Sequence, residues 1–252
     1  MTDNNTVLVT GATSGFGRSI AEIFAENKWN VIITGRRKER LDKLADELQQ
    51  QFKVNPHVLQ FDIRDKRQVE EAIGSIPEHL KKLDVLVNNA GLASGFDDFH
   101  EADIEDWEVM IDTNIKGLLY ISRLISPSMV ERGSGHIINI GSTAAKVVYP
   151  KGNVYCATKF AVDAISKSMR IDLLPHGIKV TAIHPGAAET EFSVVRFHGD
   201  EDRASKVYDG FEPMNARDIA EVCYFAATRP ANLVLNEIVM TPLAQANSSY
   251  IH

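Results

Sequence analysis

Two periods of apolar residues alternate along the chain. Short apolar runs, rich in β-branched residues, fall at Thr6–Thr10, Asn30–Thr34, His57–Phe61, Asp84–Asn88, His136–Ile140, Lys179–His184 and Asn236–Met240. Within most of them the apolar residues follow one another directly, as in strands buried on both faces of a parallel sheet. Between these runs the spacing is helical. Leu41, Leu44, Ala45, Leu48 and Phe52 recur at one face of Arg37–Phe52. A second helix is expected from near Asn153 to Leu174, stopped by Pro175 and turned by Gly177. Strands alternating with helices predict an α/β fold: a doubly wound, seven-stranded, mostly parallel sheet with helices on both faces.

The chain has 252 residues and no internal repeat or Pro/Gly/Ser-rich linker, so a single domain over residues 1–252 is expected. A hydrophobic content of 44% and a charged content of 24% are those of an ordinary globule. The formal charge of -7 argues against nucleic acid and anionic membrane as general partners. The two cysteines, Cys156 and Cys223, form no C-x-x-C pair, against a disulfide framework or a cysteine zinc site. The histidines have no ligand spacing, and no catalytic metal is expected. With no signal-like segment and no apolar run of bilayer length, a cytoplasmic enzyme or binding protein is the expectation.

Candidate chemistry begins at the first strand, which runs into Thr10-Gly11-Ala12-Thr13-Ser14-Gly15-Phe16-Gly17 and then a helix, Arg18–Glu26. Glycines there allow a tight turn, close approach of backbone to a diphosphate and close packing of helix on strand, while the helix N-terminus faces the anion. The second strand ends in Gly35-Arg36-Arg37, with no acid to hold a ribose 2′-hydroxyl. Two guanidinium groups suit a 2′-phosphate, which points to NADP(H) over NAD(H). Asp62 and Ile63 end the third strand, where a carboxylate can accept from an adenine amino group or cap the next helix. Asn88-Asn89-Ala90-Gly91 ends the fourth, with small residues that admit a ribose and amides that can tie loops. Asn114 lies inside the helical stretch Trp107–Gly117, facing solvent or distorting the helix for function. Finally, Ser142, Tyr155 and Lys159 share one short window, and the last two lie one helical turn apart. A cation beside a phenol favours its ionised form.

Together TGATSGFG at 10–17, Asp62, NNAG at 88–91, Asn114, Ser142, YCATK at 155–159 and Pro185-Gly186 with Thr190 resemble the short-chain dehydrogenase/reductase family over essentially the full chain. The resemblance implies a Rossmann-type sheet binding a nicotinamide cofactor. Tyr155 would be the proton donor or acceptor. Lys159 would lower its pKa and bind the nicotinamide ribose, Ser142 would hold the carbonyl oxygen, and Asn114 would anchor a water near Lys159. Pro185, Gly186, Ala188, Thr190 and Phe192 would cover the nicotinamide. TGATSGFGR, TGRR, HIINIGSTA, GNVYCATKFAV and ETEFSVVRFHGD are similar to the subgroup of NADP-dependent 3-hydroxy acid dehydrogenases acting on serine and allo-threonine, with relatives that reduce sulfoacetaldehyde or malonic semialdehyde. Ala187-Ala188 departs from the Leu-Val often found there and removes bulk near the nicotinamide. Such substrates need a cation near Ser142 and Tyr155, and Arg196 and Lys146 are the candidates. Arg196 could instead pair with Asp200 or Glu201. Residues 191–211 read as a substrate lid, and the polar tail 244–252 as disordered or docked on another subunit. A homotetramer built on residues 103–131 and 153–174 is also implied. His184, Cys156, Phe16 and Trp107 read as packing residues. A non-catalytic NADP-binding regulator and an epimerase or dehydratase are the readings from other classes.

Overall fold

The structure, a computed structural model, describes residues 4–252. Seven strands form one all-parallel sheet: β1 (Thr6–Val9), β2 (Asn30–Gly35), β3 (His57–Gln60), β4 (Val85–Asn88), β5 (Gly135–Ile140), β6 (Ile178–Pro185) and β7 (Glu237–Met240). Their spatial order is β3-β2-β1-β4-β5-β6-β7. The expected strands and the expected architecture are therefore all present. The connecting helices are α1 (Gly15–Glu26), α2 (Lys38–Phe52), α3 (Lys66–Gly74), α4 (Ile104–Ile111), α5 (Leu118–Arg132), α6 (Asn153–Leu173), the short α7 (Phe192–Arg196) and α8 (Glu201–Ser205), and α9 (Ala216–Ala227).

Strand parity decides which face each residue feeds. Val7 and Val9 of β1, with Val31 and Ile33 of β2, pack under Ile20 and Phe24 of α1, Leu41, Leu44 and Leu48 of α2 and Cys223 of α9. Leu8, Ile32 and Leu86 point the other way, against Val69 of α3 and Ile121, Ile125 and Met129 of α5. Continuous apolar runs are what two buried faces require. Gly177, at φ 72°, turns the chain after α6 where the sequence places the break. No helix among the described residues is long and apolar enough to cross a membrane.

The order of strands reverses between β1 and β4. Their carboxyl ends diverge into a crevice there, the position where open α/β sheets bind ligands. Gly11, Asp62, Asn89, Ser142 and Pro185 all lie at or just beyond carboxyl ends of sheet strands.

Of the two expectations for the C-terminal tail, disorder does not hold. The tail folds back as a small hairpin, β8 (Gln245–Asn247) with β9 (Tyr250–Ile251), against its own chain. The Ser249 hydroxyl donates to the Val148 carbonyl at 2.9 Å and the Ser248 hydroxyl to that of Val147. Two of the tail's polar residues thus make the bonds that hold it.

Candidate active site

At the crevice the chain leaves β1 through Gly11 at φ 66° and enters α1 through Gly15 at φ 51°, a left-handed conformation that costs glycine nothing. A Cβ on Gly17 would overlap the Gly11 carbonyl. Gly17 accordingly serves the packing of helix on turn and does not line the crevice. Ser14 sits at the N-cap of α1 without making a side-chain cap bond. The first-turn N–H groups thus remain open towards the crevice, as an anion requires. The Asn89 amide donates to the carbonyls of Thr10 and Gly11 at 2.9 and 3.2 Å, tying the β4 end to this turn.

Both arginines after β2 reach the crevice. Arg37 donates to the hydroxyls of Thr13 at 2.7 Å and Ser14 at 3.1 Å, and pairs with Glu191 at 3.4 Å. Glu191 pairs more closely with Arg40, at 2.8 Å. Among the described residues the Arg36 guanidinium has only a long contact to Asp62, 3.9 Å, and it is half exposed. Asp62 does not cap α3. Asp65 does, accepting from the Arg67 and Gln68 backbone N–H groups at 2.9 and 3.2 Å. Asp62 is gripped by Arg64 at 2.6 Å. Burial pushes its carboxyl up, but the Arg64 hydrogen bonds and charge outweigh that and hold it below the usual range.

Tyr155 and Lys159 project from the first turns of α6, and both are buried. The Lys159 ammonium donates to the Ile140 carbonyl at 3.1 Å and lies 5.8 Å from the Tyr155 ring centre. Burial lowers its pKa to about 8. Burial also pushes the Tyr155 phenol well above its ordinary value, a push that neighbouring Tyr149 reinforces and that a hydrogen bond with Ser142 and the charge of Arg196 oppose. The lowering by Lys159 expected from the sequence is not among these effects. The protein's own groups hold Tyr155 as a neutral phenol, the form a proton donor needs. Ser142 follows β5 in extended backbone, its Oγ accepting from the Ala144 N–H at 3.1 Å.

Asn114 does not face solvent. The chain from Asp112 to Gly117 is a π-helical segment between α4 and α5, and Asn114 is buried within it. Its Nδ2 donates to the Leu92 carbonyl at 2.8 Å and the Thr158 hydroxyl at 3.0 Å, and its Oδ1 accepts from the Leu92 N–H at 2.9 Å. A Cβ on Gly91 would lie 3.2 Å from that Oδ1 and 3.6 Å from the Lys159 Nζ. Asn114 therefore sits behind Lys159 instead of lining the crevice, in the helix distortion that a functional Asn would need.

The two candidate cations separate cleanly. Lys146 lies outside the crevice, 3.0 Å from Asp163 and 2.5 Å from Glu237, because residues 143–145 form a tight 3₁₀ turn that swings it under β7. Paired there, it does not reach the crevice as the candidate substrate cation would. Arg196 makes no ion pair with Asp200 or Glu201. Its guanidinium lies 4.5 Å from the Phe96 ring centre, 5.4 Å from Tyr149 and 5.6 Å from Tyr155. It donates to the Tyr149 hydroxyl at 2.9 Å. Sequence reasoning passed over Tyr149 and Phe96, since only the folded chain brings residue 96 beside residue 196. Phe192 packs edge-on to Tyr155 at 5.6 Å, and the Tyr208 hydroxyl donates to the Ala188 carbonyl at 2.9 Å. Gln245 was also missed. Its side-chain carbonyl accepts from the Ala187 N–H at 2.7 Å, and Ser248 and Ile251 of the tail line the same crevice.

These groups enclose one cavity of about 710 Å³, running from Arg36 and Asp62 past Gly15, Phe16 and Ile63 to Ala90, Gly91, Ser142, Tyr155, Pro185, Gly186, Ala188 and Thr190. It has an anion cradle at the glycine turn, guanidinium groups at one end and a buried phenol–ammonium pair at the other. A dinucleotide with a 2′-phosphate fits that donor set. Among titratable groups, the phenol–ammonium pair at its inner end combines strong perturbation with geometry suited to proton transfer.

A sheet of this order with a Ser–Tyr–Lys constellation over a glycine-rich dinucleotide turn is that of a nicotinamide-dependent dehydrogenase. The chain belongs to the short chain dehydrogenase family, whose model matches residues 5–200. It is 49% identical over 241 residues to an NADP-dependent 3-hydroxy acid dehydrogenase of Salmonella typhi, covering 95% of this chain and 96% of that one. It is 43% identical over 245 residues to a sulfoacetaldehyde reductase of Chromohalobacter salexigens, covering 97% and 96%. The closed form of a serine dehydrogenase complexed with NADP+ has a similar structure, with a TM-score of 0.93, 46% identity and coverage of 98% and 99%.

Proposed function

We propose that this chain is an NADP(H)-dependent oxidoreductase that interconverts the 3-hydroxyl and the carbonyl of a short substrate bearing an acid group, of the serine, 3-hydroxypropionate or 3-hydroxyisobutyrate type. The observation that carries the substrate class is Arg196, a guanidinium beside Tyr155 that pairs with no carboxylate among the described residues. Bound NADPH supplies the hydride. The relatives named for NADP and the guanidinium groups of Arg36 and Arg37 support that cofactor.

In this reading the substrate carbonyl oxygen sits between the Ser142 hydroxyl and the Tyr155 phenol. Ser142 orients it by a hydrogen bond. Tyr155 gives up its proton as negative charge grows on the oxygen, and in the reverse direction takes it back. The Lys159 ammonium stabilises the phenolate that remains, and Asn114 braces the α6 turn and the Leu92 loop that hold Lys159. Arg196 fixes the acid end through charge-assisted hydrogen bonds. Residues 191–211 and the tail close over the substrate and exclude water. Exposed Ile104, Leu119, Phe160 and Ile171 on α4, α5 and α6 support assembly through those helices into a homotetramer.

A sulfonate aldehyde is the second reading, favoured by the sulfoacetaldehyde reductase relative, because a guanidinium binds either anion. Oxidation of NADPH with carboxylate and sulfonate semialdehydes, set beside neutral aldehydes, tests both readings. Turnover should favour an acidic set, and Tyr155→Phe should keep NADPH binding while losing nearly all turnover. Faster turnover of neutral aldehydes would overturn the acid-substrate reading, and undiminished turnover of Tyr155→Phe would overturn the mechanism.

A further inference from the structure

His184 is fully buried one residue before Pro185, and its imidazole presses on the backbone that carries Ser142. A Cβ on Gly141 would overlap the ring, so this glycine is what lets the imidazole approach. The ring Nδ1 lies 3.4 Å from the Ser142 N and 3.2 Å from the Ser142 carbonyl oxygen. Across the ring, Nε2 lies 3.5 Å from Oδ1 of Asp163, a buried carboxylate on α6, and neither atom has any other hydrogen-bond partner among the described residues.

One neutral tautomer leaves none of these groups without a partner, since the Ser142 carbonyl already accepts from the Ala145 N–H at 2.9 Å. If Nδ1 carried the hydrogen and gave it to the Ser142 carbonyl, the bare Nε2 would face a carboxylate. Asp163 is held ionised by Lys167 at 2.7 Å and Lys146 at 3.0 Å, against the upward push of its burial. Two acceptors would then meet in a buried site, which is costly. An imidazolium would satisfy both sides, but burial and the nearby Lys146 cation disfavour it. With the hydrogen on Nε2, that nitrogen donates to Asp163 and Nδ1 accepts from the Ser142 N–H, which has no other acceptor among the described residues. Ligand atoms of Asp163, His184 and Glu237 lie within 4.8 Å of one another, but the Lys146 ammonium already lies between the two carboxylates.

We propose that Asp163 and His184 form a positioning relay for Ser142: the carboxylate selects the imidazole tautomer, and the imidazole holds the Ser142 main chain so that its hydroxyl meets the substrate oxygen. This rests on the reading of Ser142 given above. Neither residue lines the cavity. The effect is to aim a reacting-site hydroxyl, and an error of about 1 Å in such a group can cost up to about 100-fold in rate.

The test compares kcat, KM and NADPH affinity in His184→Asn, His184→Phe, Asp163→Asn and Ser142→Ala. In His184→Asn the new amide oxygen can take the place of Nδ1 and accept from the Ser142 N–H, while in His184→Phe the phenyl ring fills the space without an acceptor. His184→Phe should lower kcat about tenfold or more with NADPH affinity unchanged, and His184→Asn should recover most of kcat despite leaving more empty volume. Asp163→Asn should lower kcat in the parent and have little further effect in His184→Phe, since the two act through one ring. A kcat for His184→Phe equal to or above that of His184→Asn would mean that the ring only packs, and would overturn the relay. Additive losses in the double variant would overturn it too. An undiminished kcat in Ser142→Ala would overturn the role of Ser142 and the relay with it, whereas loss in Ser142→Ala with no ordering at position 184 overturns the relay alone.

Discussion

The guanidinium of Arg196 lies 5.6 Å from the ring centre of Tyr155, on the crevice side of α7, with no carboxylate among the described residues paired to it. In the proposed function this cation meets the acid end of the substrate that Tyr155 protonates. Arg196→Gln should raise KM for acidic substrates roughly 10- to 100-fold, in line with loss of a charge-assisted hydrogen bond. Neutral aldehydes of the same length should change little. Steady-state kinetics with paired acidic and neutral substrates checks this, and an equal rise for both would assign Arg196 to holding the loop alone.

The cofactor preference should divide unequally between the two arginines after β2. Arg36 is spared close pairing, whereas Arg37 braces Thr13 and Ser14 of the glycine turn. Arg36→Ala should weaken NADPH about tenfold and leave NADH nearly unchanged, as expected when one guanidinium–phosphate contact is removed. Arg37→Ala should weaken both, because the turn that it braces would receive the diphosphate shared by both cofactors in the proposed reading. Fluorescence titration of each variant with each cofactor separates the two roles.

Burial brings the Lys159 ammonium from its ordinary value down to about 8. Below that pH the folded and unfolded chains both carry the proton, and folding bears the whole cost of burying the charge. Between about 8 and the ordinary lysine value the folded state releases its proton first, so this group's contribution to stability rises with pH. Lys159→Met, of similar volume, should therefore raise Tm at about pH 7 and raise it less at about pH 10, while abolishing turnover. Thermal unfolding of cofactor-free protein at the two pH values is the measurement. A gain that grows with pH would contradict the burial argument.

Gln245 ties the tail hairpin to the loop after β6 through the Ala187 N–H at 2.7 Å. Gln245→Ala leaves that N–H without its acceptor, a loss of roughly 1–3 kcal/mol if the group stays dry. The loop from Pro185 to Ala188 forms one wall of the cavity. Weaker NADPH binding, by about three- to tenfold if about 1 kcal/mol of that loss reaches the cofactor complex, and a lower Tm should follow. Calorimetric titration and thermal unfolding check both, and a change in Tm alone would confine Gln245 to anchoring the tail.

What the sequence made legible was local. The seven strands, the α6 stop at Gly177 and the glycine turn each follow from neighbouring residues, because burial on two faces, helix termination and left-handed φ values all act over a few positions. Tyr155 and Lys159 were readable for the same reason. Contacts made only by the folded chain were not. Phe96 reaches Arg196 across 100 positions, and Gln245 reaches Ala187 across 58. Lys146 misled because it is close to Ser142 in sequence, whereas the intervening 3₁₀ turn carries it to Asp163 and Glu237.

The π-helical segment from Asp112 to Gly117 has a consequence for chain length. Such a segment holds one residue more than α geometry would need, so the helix beyond it is dialled to suit that surplus. Ile121, Ile125 and Met129 face the sheet only because the extra residue has been absorbed upstream. Deleting one residue there would let the segment relax to ordinary α-helix and leave those three side chains pointing inward, while breaking the bridge from Leu92 through Asn114 to Thr158. At this point in the chain, shortening by one residue is the change that parts the stability of the fold from the working of the site.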